Sequence, residues 1–160
     1  MTLSIRVATE DDIEVLAMMN KQLIEDEGHR NPMSVPELAQ RMGGWLRSGW
    51  DADVFVQANT PASGTIIGYA LYQHRKDDFF PDQRVVYLRQ FLIKREYRDQ
   101  GLGRLALREL FNARFPSKCT VIVDVLSANE RGTRFWQRVG FQPYSMTLKM
   151  ESKPTGKPVG

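Results

Sequence analysis

Apolar residues recur along this chain in two rhythms, one of three to four residues and one of two, and each rhythm marks an element. Ser4–Val7 reads as a short strand. Thr9 then serves as a helix N-cap, with Asp12 three residues on. Ile13, Leu16, Ala17, Leu23 and Ile24 form one helical stripe, interrupted by Asn20 and stopped near Gly28. Ser34-Val35-Pro36-Glu37 is a second capping box, opening a helix with Leu38, Met42, Trp45 and Leu46 on one face. Asp53–Ala58 and Thr65–His74 alternate as strands and predict a hairpin around Asn59-Thr60-Pro61-Ala62-Ser63-Gly64.

The second half is more regular. Val85–Ile93 is the longest strand signal, with Val85, Tyr87, Arg89, Phe91 and Ile93 on one face and Val86, Leu88, Gln90 and Leu92 on the other. Both faces are largely apolar, as a central strand requires. Leu102, Leu105, Ala106, Leu110 and Ala113 mark a helix that ends before Pro116. Thr120–Leu126 reads as a buried strand, Glu130–Val139 as a helix stopped by Gly140, and Gln142–Met150 as a last strand. The order β-α-α-β-β-β-α-β-α-β predicts an α/β fold with a mixed sheet. Two consecutive strand-helix-strand crossovers place a ligand at the carboxyl ends of the late strands. Residues 1–150 form the expected domain, and 151–160 a flexible tail without an apolar stripe.

Composition narrows the class without changing this picture. The chain has 160 residues, 42% hydrophobic and 26% charged, which suits one globular domain with its own core. No stretch approaches a membrane span, and the acids Glu10-Asp11-Asp12 make the N-terminus unlike a signal peptide. A single cysteine, Cys119, excludes an internal disulfide framework and fits a cytoplasmic location. His29 and His74 lie 45 positions apart with no cysteine beside them, so no metal site is expected.

Charge changes the picture more. The net charge is +3, yet between Arg84 and Arg108 seven bases face two acids. That excess surrounds Arg98-Asp99-Gln100-Gly101-Leu102-Gly103-Arg104, a glycine-bearing turn between strand and helix. Such a turn aims backbone N–H groups and the positive end of the helix dipole at one point, where a phosphate fits. Glycines let the backbone approach the anion, and Arg98 and Arg104 supply permanent charge at the rim. The spacing is neither a Walker loop nor a dinucleotide fingerprint. Nucleic acid is a poor alternative, since no exposed aromatics are interleaved with the bases and no zinc-finger or RNA-recognition signature is present.

Arg98-x-x-Gly101-x-Gly103 resembles the pyrophosphate-binding motif of the GNAT superfamily, the acetyl-CoA-dependent N-acetyltransferases. Asn129-x-x-Gly132-x-x-Phe135-Trp136-x-x-x-Gly140-Phe141 is similar to a second motif of that family, in the expected order. The resemblance covers roughly Val85 to Met150. It implies a single GNAT-like domain, with a mostly antiparallel sheet splayed at the acetyl-CoA site and about four flanking helices. It also implies that the backbone of Phe91, Leu92 and Ile93 bonds the pantetheine arm, and that Arg98, Asp99, Gln100, Gly101, Leu102, Gly103 and Arg104 cradle the pyrophosphate. Asn129, Phe135 and Trp136 would border the acetyl end, although a helix N-cap and two core aromatics explain the same residues.

The implied activity is direct transfer of acetyl from acetyl-CoA to a primary amine, on a small molecule or a peptide. Two departures keep open a second reading, an acyl-CoA-binding or sensing module without efficient transfer. Trp136 stands where many members carry a proton-donating tyrosine, leaving Tyr144 or Tyr97 as alternatives. The strand before the phosphate turn offers no carboxylate, so Asp124, in the apolar run Val121–Leu126, is the candidate base. Burial there would raise its pKa; a structural pairing with Arg89 is the competing explanation. Acceptor recognition would fall to the early helices, with Glu27 and His29, and to Arg89. A homodimer through the last strand is compatible with the pattern. No nucleic-acid or membrane partner is expected.

Overall fold

The computed structural model describes residues 2–58 and 64–152. Five strands form one sheet in the order of the chain: β1 (Thr2–Val7), β2 (Asp51–Ala58), β3 (Thr65–Lys76), β4 (Arg84–Ile93) and β5 (Thr120–Ile122). The first four pair antiparallel, and β4 pairs β5 in parallel. The expected mixed, mostly antiparallel sheet is therefore observed. The predicted hairpin is β2–β3; its turn residues 59–63 lie outside the described residues, as do 153–160 of the expected tail.

Helices α1 (Ile13–Glu27) and α2 (Val35–Leu46) cover one face of the sheet. Ser34 and Glu37 close the predicted capping box, and Gly28, at φ 65°, ends α1 in the left-handed conformation. Leu16, Leu38, Met42 and Val54 are fully buried on this side. Helices α3 (Leu102–Ala113) and α4 (Glu130–Arg138) cover the other face, over Phe55, Val86, Leu88 and Ile93. A buried polar cluster ties α3 to the sheet: Asp53 of β2 accepts from the Tyr72 hydroxyl at 2.6 Å and from Arg114 Nε at 3.0 Å.

Three expectations need correction. β4 does not alternate throughout, because Leu71 pairs with Gln90 and Tyr72 with Leu88, leaving Arg89 as an extra, bulged residue. The bulge puts Val86, Leu88, Phe91 and Ile93 on the α3 side and Gln90 and Leu92 on the α1–α2 side. The predicted strand Thr120–Leu126 stops at Ile122, since β4 and the chain beyond that point diverge. Finally, residues 141–151 form no strand, so only one of the two expected crossovers is completed. In that last segment Tyr144, Met146, Leu148 and Met150 are 94%, 81%, 83% and 65% exposed.

Candidate acetyl-CoA cleft

β4 and β5 stay paired only from Val85 opposite Thr120 to Tyr87 opposite Ile122. Beyond it β4 runs on for six residues without that neighbour, and a cleft of about 310 Å3 opens between the two chains. Phe91, Leu92 and Ile93 form one wall; Val123, Asp124 and Asn129 form the other. Phe135 and Trp136 of α4 lie between them. Their rings stand 5.8 Å and 5.4 Å from Phe91, so they line the cleft and pack the core at once. Asn129 also does two things, accepting Gly132 N–H at 3.0 Å as the α4 cap while facing the cleft.

The phosphate turn sits at the cleft's end. Asp99 and Gly101 adopt φ 61° and 76°, which swings the chain from β4 into α3. The first helical bond is Leu105 N–H to the Gly101 carbonyl at 3.2 Å. The amides of Leu102, Gly103 and Arg104 have no carbonyl one turn earlier and point outward as donors. A Cβ on Gly103 would stand 3.2 Å from the Phe135 ring, so the backbone runs close against the aromatic floor. Asp99 and Arg104 line the cleft with these residues, whereas Gln100 does not. The donors and glycines present fit a pyrophosphate.

The arginines are partly committed within the protein. Arg98 donates from Nε to the Ile93 carbonyl at 2.7 Å and from Nη2 to Asp26 at 2.6 Å, while Arg95 bonds Asp26 and Glu25. Burial pushes the Asp26 carboxyl up, but the hydrogen bonds from Arg95 and Arg98 outweigh it and hold it below its ordinary value. This pairing explains two of the acids at the C-terminus of α1, where the dipole disfavours them: they neutralise the basic turn. Glu27, the third, is half-buried on the cleft wall, and burial, then Asp26, raises its pKa.

Asp124 differs from expectation in its surroundings. It is exposed, because the chain has left the sheet by that point, and it accepts the Tyr87 hydroxyl at 2.6 Å rather than pairing with Arg89. Burial, and then that bond, push the Tyr87 phenol up to about 12. His29 sits on the exposed loop after α1, accepting Asn31 N–H at Nδ1, away from the cleft. Tyr144 is also outside it, whereas Tyr97 contributes to its lining.

Arg89 does line the cleft, and its guanidinium lies 4.9 Å and 5.7 Å from the rings of Trp45 and Trp50. Arg41 also stacks on this group, 4.5 Å from Trp45, and Arg75 lies 4.5 Å from Tyr87. Of these, the sequence reading assigned Trp45 only to a packing face. The i,i+4 spacing of Arg41 and Trp45 was the available signal.

Comparison with known proteins agrees with this geometry. A family model described as "Acetyltransferase (GNAT) family" matches residues 20–141. A bovine (Bos taurus) thialysine N-epsilon-acetyltransferase is 24% identical over 143 residues, covering 86% of this chain and 83% of the relative. Among solved structures, a predicted acetyltransferase from Clostridium acetobutylicum with acetyl-CoA superposes with TM-score 0.67, at 17% identity, covering 94% of this chain and 96% of that one. An aminoglycoside N-acetyltransferase in complex with CoA gives TM-score 0.70 at 16% identity, covering 95% of each chain.

Proposed function

The chain belongs to the GNAT acetyltransferase family, so it is an acetyl-CoA-dependent acetyltransferase, and from that premise we propose that it transfers acetyl directly to a primary amine. The observation that carries the reading is the cleft itself: an opened β4 edge leading to the outward amides of α3, with Glu27 and Asp124 among the residues that line it. The phosphate turn binds the diphosphate, and the edge at Phe91–Ile93 bonds the pantetheine arm as an added strand would. Acetyl-CoA supplies the electrophilic thioester carbon.

The amine docks between Glu27 and Asp124. Glu27 is the base, because its raised pKa lets it hold the proton that the attacking nitrogen gives up. Asp124, fixed by Tyr87, orients the nitrogen. As the new C–N bond forms, the C–S bond breaks, and the thiolate takes its proton from solvent. Trp136 is an N–H donor and not an acid, and Tyr144 lies outside the cleft.

Thiol release from acetyl-CoA across an amine panel tests this reading. Release should depend on amine, and kcat/KM should rise with pH as Glu27 loses its proton above the ordinary carboxylate range. Glu27→Gln should remove that limb and lower kcat at least tenfold. Binding of acetyl-CoA with no amine-dependent release would favour a sensing module instead.

The proposal extends to assembly and location. Tyr144, Met146, Leu148 and Met150 alternate along an exposed segment, and a second copy covers them in a homodimer. Sedimentation should show a dimer, and Met146→Lys with Leu148→Lys a monomer; a monomeric parent protein would refute it. The location is the cytoplasm, which the lone Cys119 supports. Among the described residues no helix is long and apolar enough to cross a membrane.

A further inference from the structure

Arg89 lines the cleft, and two further guanidiniums outside its lining, Arg41 and Arg75, stack on the same group of aromatic rings. Arg41 comes from α2, Arg75 from β3 and Arg89 from the β4 bulge, and they share Trp45, Trp50 and Tyr87 as an aromatic bed. Among the described residues none of the three forms an ion pair. Arg41 bonds Asn20 Oδ1 at 3.3 Å and Arg75 bonds Gln73 at 2.9 Å, while Arg89 has no hydrogen-bond partner among the described residues. Arg41 Nε is buried without any partner.

Stacking occupies the faces of these guanidiniums, and the in-plane N–H edge of Arg89 has no acceptor among the described residues. Holding like charges together without a counter-anion costs energy; burial, and then Arg89, push the Arg41 pKa down. A planar anion in the cleft, accepting from Arg89, would give that free edge its partners and offset the repulsion between Arg89 and Arg41. The bulge makes the arrangement possible, because Arg89 is the extra residue between Leu88 on the α3 side and Gln90 on the α2 side, and it lies on the α2 side with Tyr87. Arg89 lines the same cleft as Glu27 and Asp124, so the cationic and acidic groups face one bound molecule from different sides.

We propose that Arg89, on its bed of Trp45 and Trp50 and in the field of Arg41, binds a carboxylate carried by the acceptor, so that the acceptor is a zwitterion of the amino-acid type. This rests on the amine-transfer reading above and names the substrate class of the same site. The two ends of the molecule are sorted by charge: the carboxylate goes to Arg89, and the amine to Glu27 and Asp124.

Matched pairs test it, each an amino acid and the amine left by its decarboxylation: lysine with 1,5-diaminopentane, and ornithine with 1,4-diaminobutane. The parent enzyme should prefer the amino acid in each pair by at least about tenfold in kcat/KM. Arg89→Gln should collapse that ratio toward one, through KM for the amino acid, with Arg89→Lys restoring part of it, and Arg41→Gln should lower it less. The KM for acetyl-CoA and the unfolding midpoint of each variant report whether cofactor site and fold are intact. Equal or better use of the decarboxylated amines overturns the carboxylate subsite while leaving amine transfer standing. Refusal of all the amino acids, or a ratio unmoved by Arg89→Gln, overturns it too. Loss of all thiol release with every amine would instead count against the transfer reading.

Discussion

Gly103→Asp should lower the affinity for acetyl-CoA by at least about a hundredfold, roughly 3 kcal/mol, while the protein stays folded. Gly103 lies in the first turn of α3, where a carboxylate is welcome to the helix and worth about 0.3–1 kcal/mol in its favour. The same carboxylate faces the anion that the free amides would hold. Two unit charges about 4 Å apart cost about 4 kcal/mol at an effective dielectric near 20. The added Cβ contributes less, since 3.2 Å from the Phe135 ring requires a shift of only a few tenths of an ångström. Gly103→Ala separates the effects, because it adds the Cβ without the charge and should bind far better than the aspartate variant. Calorimetric titration with acetyl-CoA provides the measurement. Parent-like affinity in Gly103→Asp would mean that the phosphates do not sit at this turn.

Asp53→Ala should destabilise the fold by about 3 kcal/mol and so lower the unfolding midpoint by roughly 6–12 °C. The Asp53 side chain is 1% exposed and takes both the Tyr72 hydroxyl and Arg114 Nε, leaving two donors stranded when it is removed. Arg114 is 29% exposed, so water reaches part of its guanidinium, and the lower end of the range for broken buried pairs applies. Tyr72→Phe should cost less, because Asp53 keeps Arg114. Denaturant unfolding distinguishes the two; a loss under 1 kcal/mol for Asp53→Ala would show that the cluster is solvated. Arg114 caps the end of α3, so this cluster also fixes the helix whose other end forms the phosphate turn.

Most of the scaffold was legible in the sequence because it rests on local spacing. The stripes of α1 and α3, the capping box at Ser34 and the glycine turn at 98–104 are each set by residues within a few positions of one another. What escaped depends on neighbours distant in the chain. Arg89 cannot be read as a bulge, because nothing in Val85–Ile93 reveals that Leu71 and Tyr72 skip it. Asp124 looks buried in an apolar run, yet its exposure follows from where β5 parts from β4. The acids Glu25 and Asp26 acquire a purpose only when Arg95 and Arg98, some seventy residues later, fold against them. Gln142–Met150 carries a strand's pattern, but a pattern of two needs a neighbouring strand.

The bulge sets Arg89 outside the alternation of β4. Leu71 pairs with Gln90 on the α2 side and Tyr72 with Leu88 on the α3 side, so the pairs that flank Arg89 already alternate without it. Deleting Arg89 would join them into plain pairing and leave Val86 and Leu88 in the α3 core and Tyr87 beside Trp50. The strand can lose this residue and keep its register; what it would lose is the guanidinium that it carries into the cleft.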